Sequence, residues 1–325
     1  MQEQVARSPS ERDIIDGFRA QAGGPRDDVE LGIGDDGAVL IPPRGRLIAV
    51  VDTLVSGVHF PAGLPACFIG HRALAVNLSD IAAMGGTSAW ATLALTMPAA
   101  DAEWLEDFRR GFFALADAAG VALVGGDTTR GPLSVTVQLL GSAPDGWIPR
   151  AGAEPGDVVC VSGTLGDAAA GLALLQDGAG NDADAAWLLD RFRLPAARSD
   201  EGRSLLGIAS AAIDISDGLI SDAGKLAAAS SVGARIEADR LPLSRALRER
   251  YAPSDARRLA LAGGDDYELC FTVPAPRVDD LERIAARWEC CCTRIGVIET
   301  GAGVRCVDAR GRPIEVARGY DHFAA

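Results

Sequence analysis

Five apolar segments of this chain end in aspartate, mostly beside glycine: Leu31-Gly-Ile-Gly-Asp-Asp-Gly37, Ile48-Ala-Val-Val-Asp52, Leu123-Val-Gly-Gly-Asp-Thr-Thr-Arg-Gly131, Ile213-Asp-Ile-Ser-Asp-Gly218 and Ala262-Gly-Gly-Asp-Asp-Tyr-Glu268. Glycine permits a tight turn and lets backbone come close to a ligand. An aspartate delivered there can hold a hard cation, and Arg130 can face an anion. Repeated along the chain, the pattern predicts an acidic pocket shared by the ends of strands.

Carboxylates grouped without histidine or cysteine suit Mg²⁺, which binds through a few carboxylates, waters and substrate phosphates; zinc is poorly matched. With such ions a negative site can accept a nucleoside triphosphate and a second phosphate. Transfer of a γ-phosphoryl group needs positioning, charge neutralisation and an arginine or backbone clamp, and little covalent chemistry from the protein. An acceptor that is itself a phosphate needs no strong general base, and no Ser-His-Asp arrangement is evident. The residues therefore read as a Mg²⁺-dependent enzyme acting on phosphates, ATP among them, with the acceptor left open. A metal-dependent phosphatase and a non-catalytic Mg-nucleotide scaffold remain as alternatives.

The elements that must carry these residues alternate between strand and helix. Ser10 caps a helix with Ile14, Ile15 and Phe18 on one face, ended by Gly23-Gly24-Pro25. Gly32 to Gly37 matches a dinucleotide fingerprint in form only, because a strand follows (Ala38 to Ile41) where the fingerprint needs a helix. A solvated Asp-Gly turn is the plain alternative there. Arg46 to Val51 reads as a buried strand leading to Asp52, and His59 beside Phe60 is either a packed ring or a ligand. Pro65 to Met84 is a largely apolar helix with Asn77 and Asp80 on one face, where Asp80 is either a cation ligand or a surface carboxylate. A strand over 88–97, an amphipathic helix over 101–119 and strands over 121–125 and 133–140 complete a β-α-β first half. The Gly-, Pro- and Ala-rich stretch 145–157 is the domain boundary, which gives domains 1–148 and 149–325. In the second half, Asp214 and Ser216 share one side of an extended segment, and helices are expected over 184–192, 199–210 and 219–230.

Composition limits the partners. At 325 residues the chain suits two domains, and a net charge of −14 argues against nucleic acid or an anionic membrane surface. Lys225 is the only lysine, so the P-loop device is missing. The seven cysteines include Cys290-Cys-Cys292, and their spacing frames no zinc site; they read as reduced, mostly structural thiols. No apolar run reaches the roughly 20 residues of a membrane span, and the first residues lack the layout of a signal peptide, so a cytoplasmic protein is expected.

At Glu30-Leu-Gly-Ile-Gly-Asp-Asp36, Asp52-Thr-Leu-Val-Ser-Gly-Val-His-Phe60, Ala75-Val-Asn-Leu-Ser-Asp-Ile-Ala-Ala-Met-Gly85, Gly125-Gly-Asp-Thr-Thr-Arg-Gly131, Ile215-Ser-Asp-Gly-Leu219 and Gly319-Tyr-Asp-His-Phe323 the sequence resembles the thiamine-monophosphate kinases. These belong to the ATP-binding superfamily that includes aminoimidazole ribonucleotide synthetase. The resemblance implies a two-domain α/β fold and a homodimer whose N-terminal domains build a barrel at the interface. The implied reaction is direct in-line transfer from ATP to thiamine monophosphate. It also implies Mg²⁺ ligation by Asp36, Asp52, Asp80, Asp127, Asp214 and Asp217, with main-chain oxygens of Val50 and Val51. By the same analogy Gly126, Asp127, Arg150 and Ser216 contact ATP, and Asp127, Asp217 and Arg150 serve catalysis. His59, Asp265 and Tyr320 contact thiamine monophosphate. Two departures stand out: Asp265 occupies a position commonly held by Glu, and Val50-Val51 replaces Ser-Thr, which leaves only backbone ligation there. Within the superfamily, an aminoimidazole ribonucleotide synthetase-like activity is the nearest alternative.

Overall fold

The computed structural model describes residues 8–22, 26–178 and 180–316. The chain divides into two compact units, one of residues up to Leu78 with Ser88–Pro144, the other of Ser79–Thr87 with the chain from Asp145 onward. Among the described residues no helix is long and apolar enough to cross a membrane.

The first unit opens with α1 (Glu11–Gln21), capped as its sequence predicts: Ser10 Oγ accepts from Asp13 N while Asp13 Oδ2 accepts from Ser10 N. Strands β1 (Val29–Leu31) and β2 (Val39–Leu40) pair antiparallel, which makes residues 32–38 a hairpin loop with no helix behind it. Next come β3 (Arg46–Val55), α2 (Ala66–Ala83), β4 (Thr87–Met97), α3 (Ala102–Ala119), β5 (Ala122–Arg130) and β6 (Ser134–Ala143). The four strands β3, β4, β5 and β6 form a single sheet in the order β3-β6-β4-β5. β3 and β6 run antiparallel without a slip from Arg46 opposite Ala143 to Val55 opposite Ser134. Along β6, Val135, Val137 and Leu139 are buried while Thr136 and Gln138 turn away, the period-two pattern of a sheet covered on one face. α3 buries Leu105, Phe108 and Phe112, and Phe18 of α1 meets Phe108 edge-on at 6.2 Å.

Gly125–Arg130 departs from the tight turn its glycines suggest. It continues β5, parallel to β4, with Val124 bulged out where Leu123 faces Ala91 and Gly125 faces Thr92. Glycine serves close approach here, because a Cβ on Gly126 would stand 1.9 Å from Leu93 O.

The second unit contains β7 (Val158–Ser162), α4 (Asp167–Asp177), α5 (Ala183–Arg193), α6 (Ser199–Ser204), β8 (Ala211–Asp214), α7 (Leu219–Ala229), β9 (Gly233–Glu237), α8 (Arg245–Arg250), α9 (Pro253–Ala262), β10 (Leu269–Val273), α10 (Val278–Ala285), β11 (Cys292–Glu299), β12 (Gly303–Val307) and β13 (Pro313–Ile314). Its seven-stranded sheet runs β13-β12-β9-β11-β7-β10-β8, with only β9 and β12 parallel among the paired strands. Both faces are covered. Val159, Val161, Ile213 and Ile236 enter one core, while Cys160, Ala212, Phe271 and Val273 enter the other. That second core also takes Ala82 and Ala83 from the last turn of α2. The helix expected over 199–210 stops at Ser204, because Leu205, Leu206 and Ile208 turn into this core and Gly207 takes a left-handed φ of +70°.

Candidate functional site

In the first unit a cavity of about 920 Å³ opens between α1, the β1–β2 loop and β5. Asp35, Asp36, Gly126 and Asp127 line it, together with Arg12 and Arg19 from α1. Its size suits a nucleotide-sized ligand, and the two arginines give it positive charge opposite the carboxylates. Those arginines carry no sequence signal beyond their place on a polar helix face.

Asp52 is half-buried on β3, the edge strand of its sheet. On an antiparallel edge, successive residues turn their N–H and C=O groups alternately into the ladder and away from it. Only one of the Val50 and Val51 carbonyls therefore faces the open edge. His59 follows in the turn after β3, where its Nδ1 accepts from Val55 N at 2.9 Å. An accepting Nδ1 puts the ring proton on Nε2, so the imidazole presents a donor.

The remaining residues belong to the second unit. Asp80 is half-buried near the end of α2. Asp214 closes β8, 7% exposed, and Ser79 Oγ donates to its Oδ2 at 2.8 Å. Ser216 and Asp217 lead into α7, and both of their backbone N–H groups donate to Asp222 Oδ2 at 2.9 Å. Burial pushes the Asp222 carboxyl up, and Lys225 opposes that shift. Burial alone would lower the Lys225 ammonium, yet hydrogen bonds to Asp217 and Asp222 hold it above its ordinary value. Asp265 is tied to the same segment, its N–H donating to Ser216 O at 2.9 Å. Arg150 is exposed between β6 and β7. Tyr320 and the Gly319–Phe323 tail lie outside the described residues, as does Gly23-Gly24-Pro25.

The structure thus brings Asp36, Gly126 and Asp127 to one cavity, and Asp214, Ser216, Asp217 and Asp265 to one pair of neighbouring segments. Among the described residues no group of three or more His, Cys, Asp or Glu is assembled to hold a metal ion. In chemistry the donors fit a hard divalent ion, for they are carboxylate oxygens without sulfur.

Sequence reasoning passed over a buried network beneath Asp265. Glu268 is fully buried and accepts from Arg191, Arg198 and Ser162, which lie 77, 70 and 106 residues away. Asp266, 1% exposed, accepts from Gly166 N at 2.7 Å, and burial pushes its carboxyl well up.

Residues 34–143 match the model of AIR synthase related protein, N-terminal domain, and residues 154–308 that of the C-terminal domain. The thiamine-monophosphate kinase of Escherichia coli (strain K12) is 47% identical over 302 residues, covering 91% of this chain and 93% of that protein. The crystal structure of thiamine-monophosphate kinase from Stenotrophomonas maltophilia K279a superposes with a TM-score of 0.86 at 50% identity, over 92% of this chain and 97% of that one. A solved structure of AaThiL complexed with AMPPCP and TMP gives a TM-score of 0.77 at 33% identity, over 96% of this chain and 97% of that one.

Proposed function

The chain belongs to the thiamine-monophosphate kinase family, within the AIR synthase related proteins, and on that premise we propose that it moves the γ-phosphoryl group of ATP to the phosphate of thiamine monophosphate, giving ADP and thiamine diphosphate. The observation that carries this reading is the likeness, over nearly the whole chain, to AaThiL complexed with AMPPCP and TMP.

Mg²⁺ fits the donor set of Asp36, Asp52, Asp80, Asp127, Asp214 and Asp217, with one main-chain oxygen of the Val50-Val51 pair beside them. When bound, it neutralises phosphate charge and supports the developing charge of the transferring group. Asp127 and Asp217 act here with Arg150, whose guanidinium can clamp phosphate oxygens in two-point fashion. Gly126 gives ATP close access to the backbone, and Ser216 contributes its hydroxyl, since its N–H is engaged by Asp222. His59 donates from Nε2 to the acceptor phosphate, while Asp265 and Tyr320 hold the rest of thiamine monophosphate. The acceptor phosphate is ionised at neutral pH, so the transfer proceeds without a strong base.

In this reading residues 1–148 are the ATP, Mg²⁺ and dimerisation domain, and residues 149–325 the second α/β domain. Leu47 and Val51 leave 51% and 61% of their surface open on the edge strand β3. A second copy covering that apolar, unpaired edge makes the working enzyme a homodimer with strands from both copies closing a barrel.

The test mixes protein, ATP, Mg²⁺ and thiamine monophosphate and separates products by chromatography, with unphosphorylated thiamine as control. Thiamine diphosphate from the monophosphate alone is expected. Inorganic phosphate without thiamine diphosphate would overturn the reading in favour of a phosphatase.

A further inference from the structure

The segment between α9 and β10, Gly263–Glu268, holds two non-glycine residues in the left-handed region, Asp265 at φ 68° and Tyr267 at φ 50°. Such residues keep that conformation only where the surroundings impose it. Three backbone bonds do so from one side: Asp265 N donates to Ser216 O, Tyr267 N to Ile215 O, and Ile215 N to Glu268 O, all within 2.8–2.9 Å. Gly264 packs so closely on this segment that a Cβ there would stand 2.5 Å from Ser216 O.

Side chains impose it from the other side. Asp266 turns inward to accept from Gly166 N at 2.7 Å and Ala168 N at 3.4 Å, at the start of α4. Glu268, two residues on, also points inward. Its carboxylate accepts from Arg191 Nη2 at 2.7 Å, Arg198 Nε at 2.6 Å and Ser162 Oγ at 2.6 Å. Asp265 itself is only half-buried. The hydroxyl of Tyr267, whose side chain is largely buried, donates to Asp265 Oδ1 at 3.2 Å. Buried ion pairs of this kind give little net stability against apolar packing, and their best-supported use is to select one conformation.

We propose that Tyr267 and Glu268 are positioning residues for the acceptor site: Glu268 locks the left-handed turn from within, and the Tyr267 hydroxyl sets the direction of the Asp265 carboxylate beside Ser216. The proposal rests on the reading of Asp265 as a contact to thiamine monophosphate. Neither residue touches the phosphates; each acts through Asp265.

Steady-state kinetics with each substrate varied in turn test it, using Asp265→Ala as the reference. Tyr267→Phe removes one hydroxyl from a buried ring that otherwise stays in place. It is expected to raise KM for thiamine monophosphate by about two- to tenfold, the worth of one hydrogen bond, with KM for ATP and kcat at wild-type values and Tm lower by about one to three degrees. Glu268→Gln is expected to move the same parameter in the same direction. If Glu268→Gln does not fold, Arg198→Lys takes its place, keeping the charge while losing the two-point fork. An unchanged KM for thiamine monophosphate in Tyr267→Phe, with a raised one in Asp265→Ala, would overturn the positioning role and leave Asp265 as a contact. An unchanged KM in Asp265→Ala would remove the contact itself, and the positioning role with it. An equal loss through both substrates in Glu268→Gln or Arg198→Lys would mark the network as structural support alone.

Discussion

Lys225 Nζ lies 2.5 Å from Asp217 Oδ2 and 2.6 Å from Asp222 Oδ1, so the only lysine of the chain is committed to two carboxylates at the start of α7. One of them, Asp222, is 1% exposed and ties down the backbone of Ser216 and Asp217. The other is a proposed metal ligand. The ammonium group therefore stands where a cation is expected to act, and its position gives it two separable roles.

Lys225→Met should expose both. Asp222 would be left buried without its cation, a loss of about 1–3 kcal/mol once the partial exposure of the lysine is allowed for. Thermal unfolding should fall by a few degrees. At the same time Asp217 loses its competitor, so the Mg²⁺ concentration giving half-maximal activity should drop. A variant that melts lower but keeps the wild-type Mg²⁺ titration would show that Lys225 is a structural partner and does not compete with the ion.

Asp127→Asn separates chemistry from folding. Asp127 is exposed on β5 and contributes nothing to the core, so the variant should melt within about a degree of the wild type. Its charge is needed where phosphates meet a cation, and kcat should fall by about a thousandfold or more. Retained transfer with an unchanged Mg²⁺ requirement would sink the assignment.

Much of the frame was legible because local signals agreed with tertiary packing. Ser10 forms the expected cap with Asp13, Phe108 and Phe112 lie on the buried face of the expected amphipathic helix α3, and β6 falls where a strand is expected. Gly125-Gly126 was ambiguous in principle, since glycine serves a turn and a close strand crossing equally well. Only the approach of Leu93 O decides between them. Of the five patterned segments, those of Asp36 and Asp127 line one cavity. The Glu268–Arg191–Arg198 network had no comparable signal, because its members meet only when β10, α5 and the start of α6 pack together. Asp265 drew attention by its motif, while the groups that orient it were visible only in three dimensions.

The thiols should separate by burial. Cys291 is exposed, whereas burial pushes the Cys290 and Cys270 thiols up to about 12. The thiolate is the reactive form. Alkylation at pH 8 followed by peptide mapping should therefore label Cys291 well ahead of Cys290, and Cys160 and Cys270 only after unfolding. Early labelling of Cys270 would contradict the placement of β10 in the core.

Asp266 supplies a pH test of the network under Asp265. Its carboxyl is pushed well above the usual range by burial, and the bond from Gly166 N opposes only part of that shift. A folded-state pKa above the unfolded value means that the folded chain holds the proton more tightly. The stabilisation is therefore complete below the unfolded value of about 4 and is lost as pH rises through the folded value. Asp266→Asn cannot titrate, so it keeps what the wild type loses. The Tm of the variant minus that of the wild type should grow as pH is raised from about 4 toward 8, measured by calorimetry in buffers of matched ionic strength. A difference that stays flat across that window would mean that Asp266 enters the fold already ionised, with the N–H groups at the start of α4 sufficient to hold its charge.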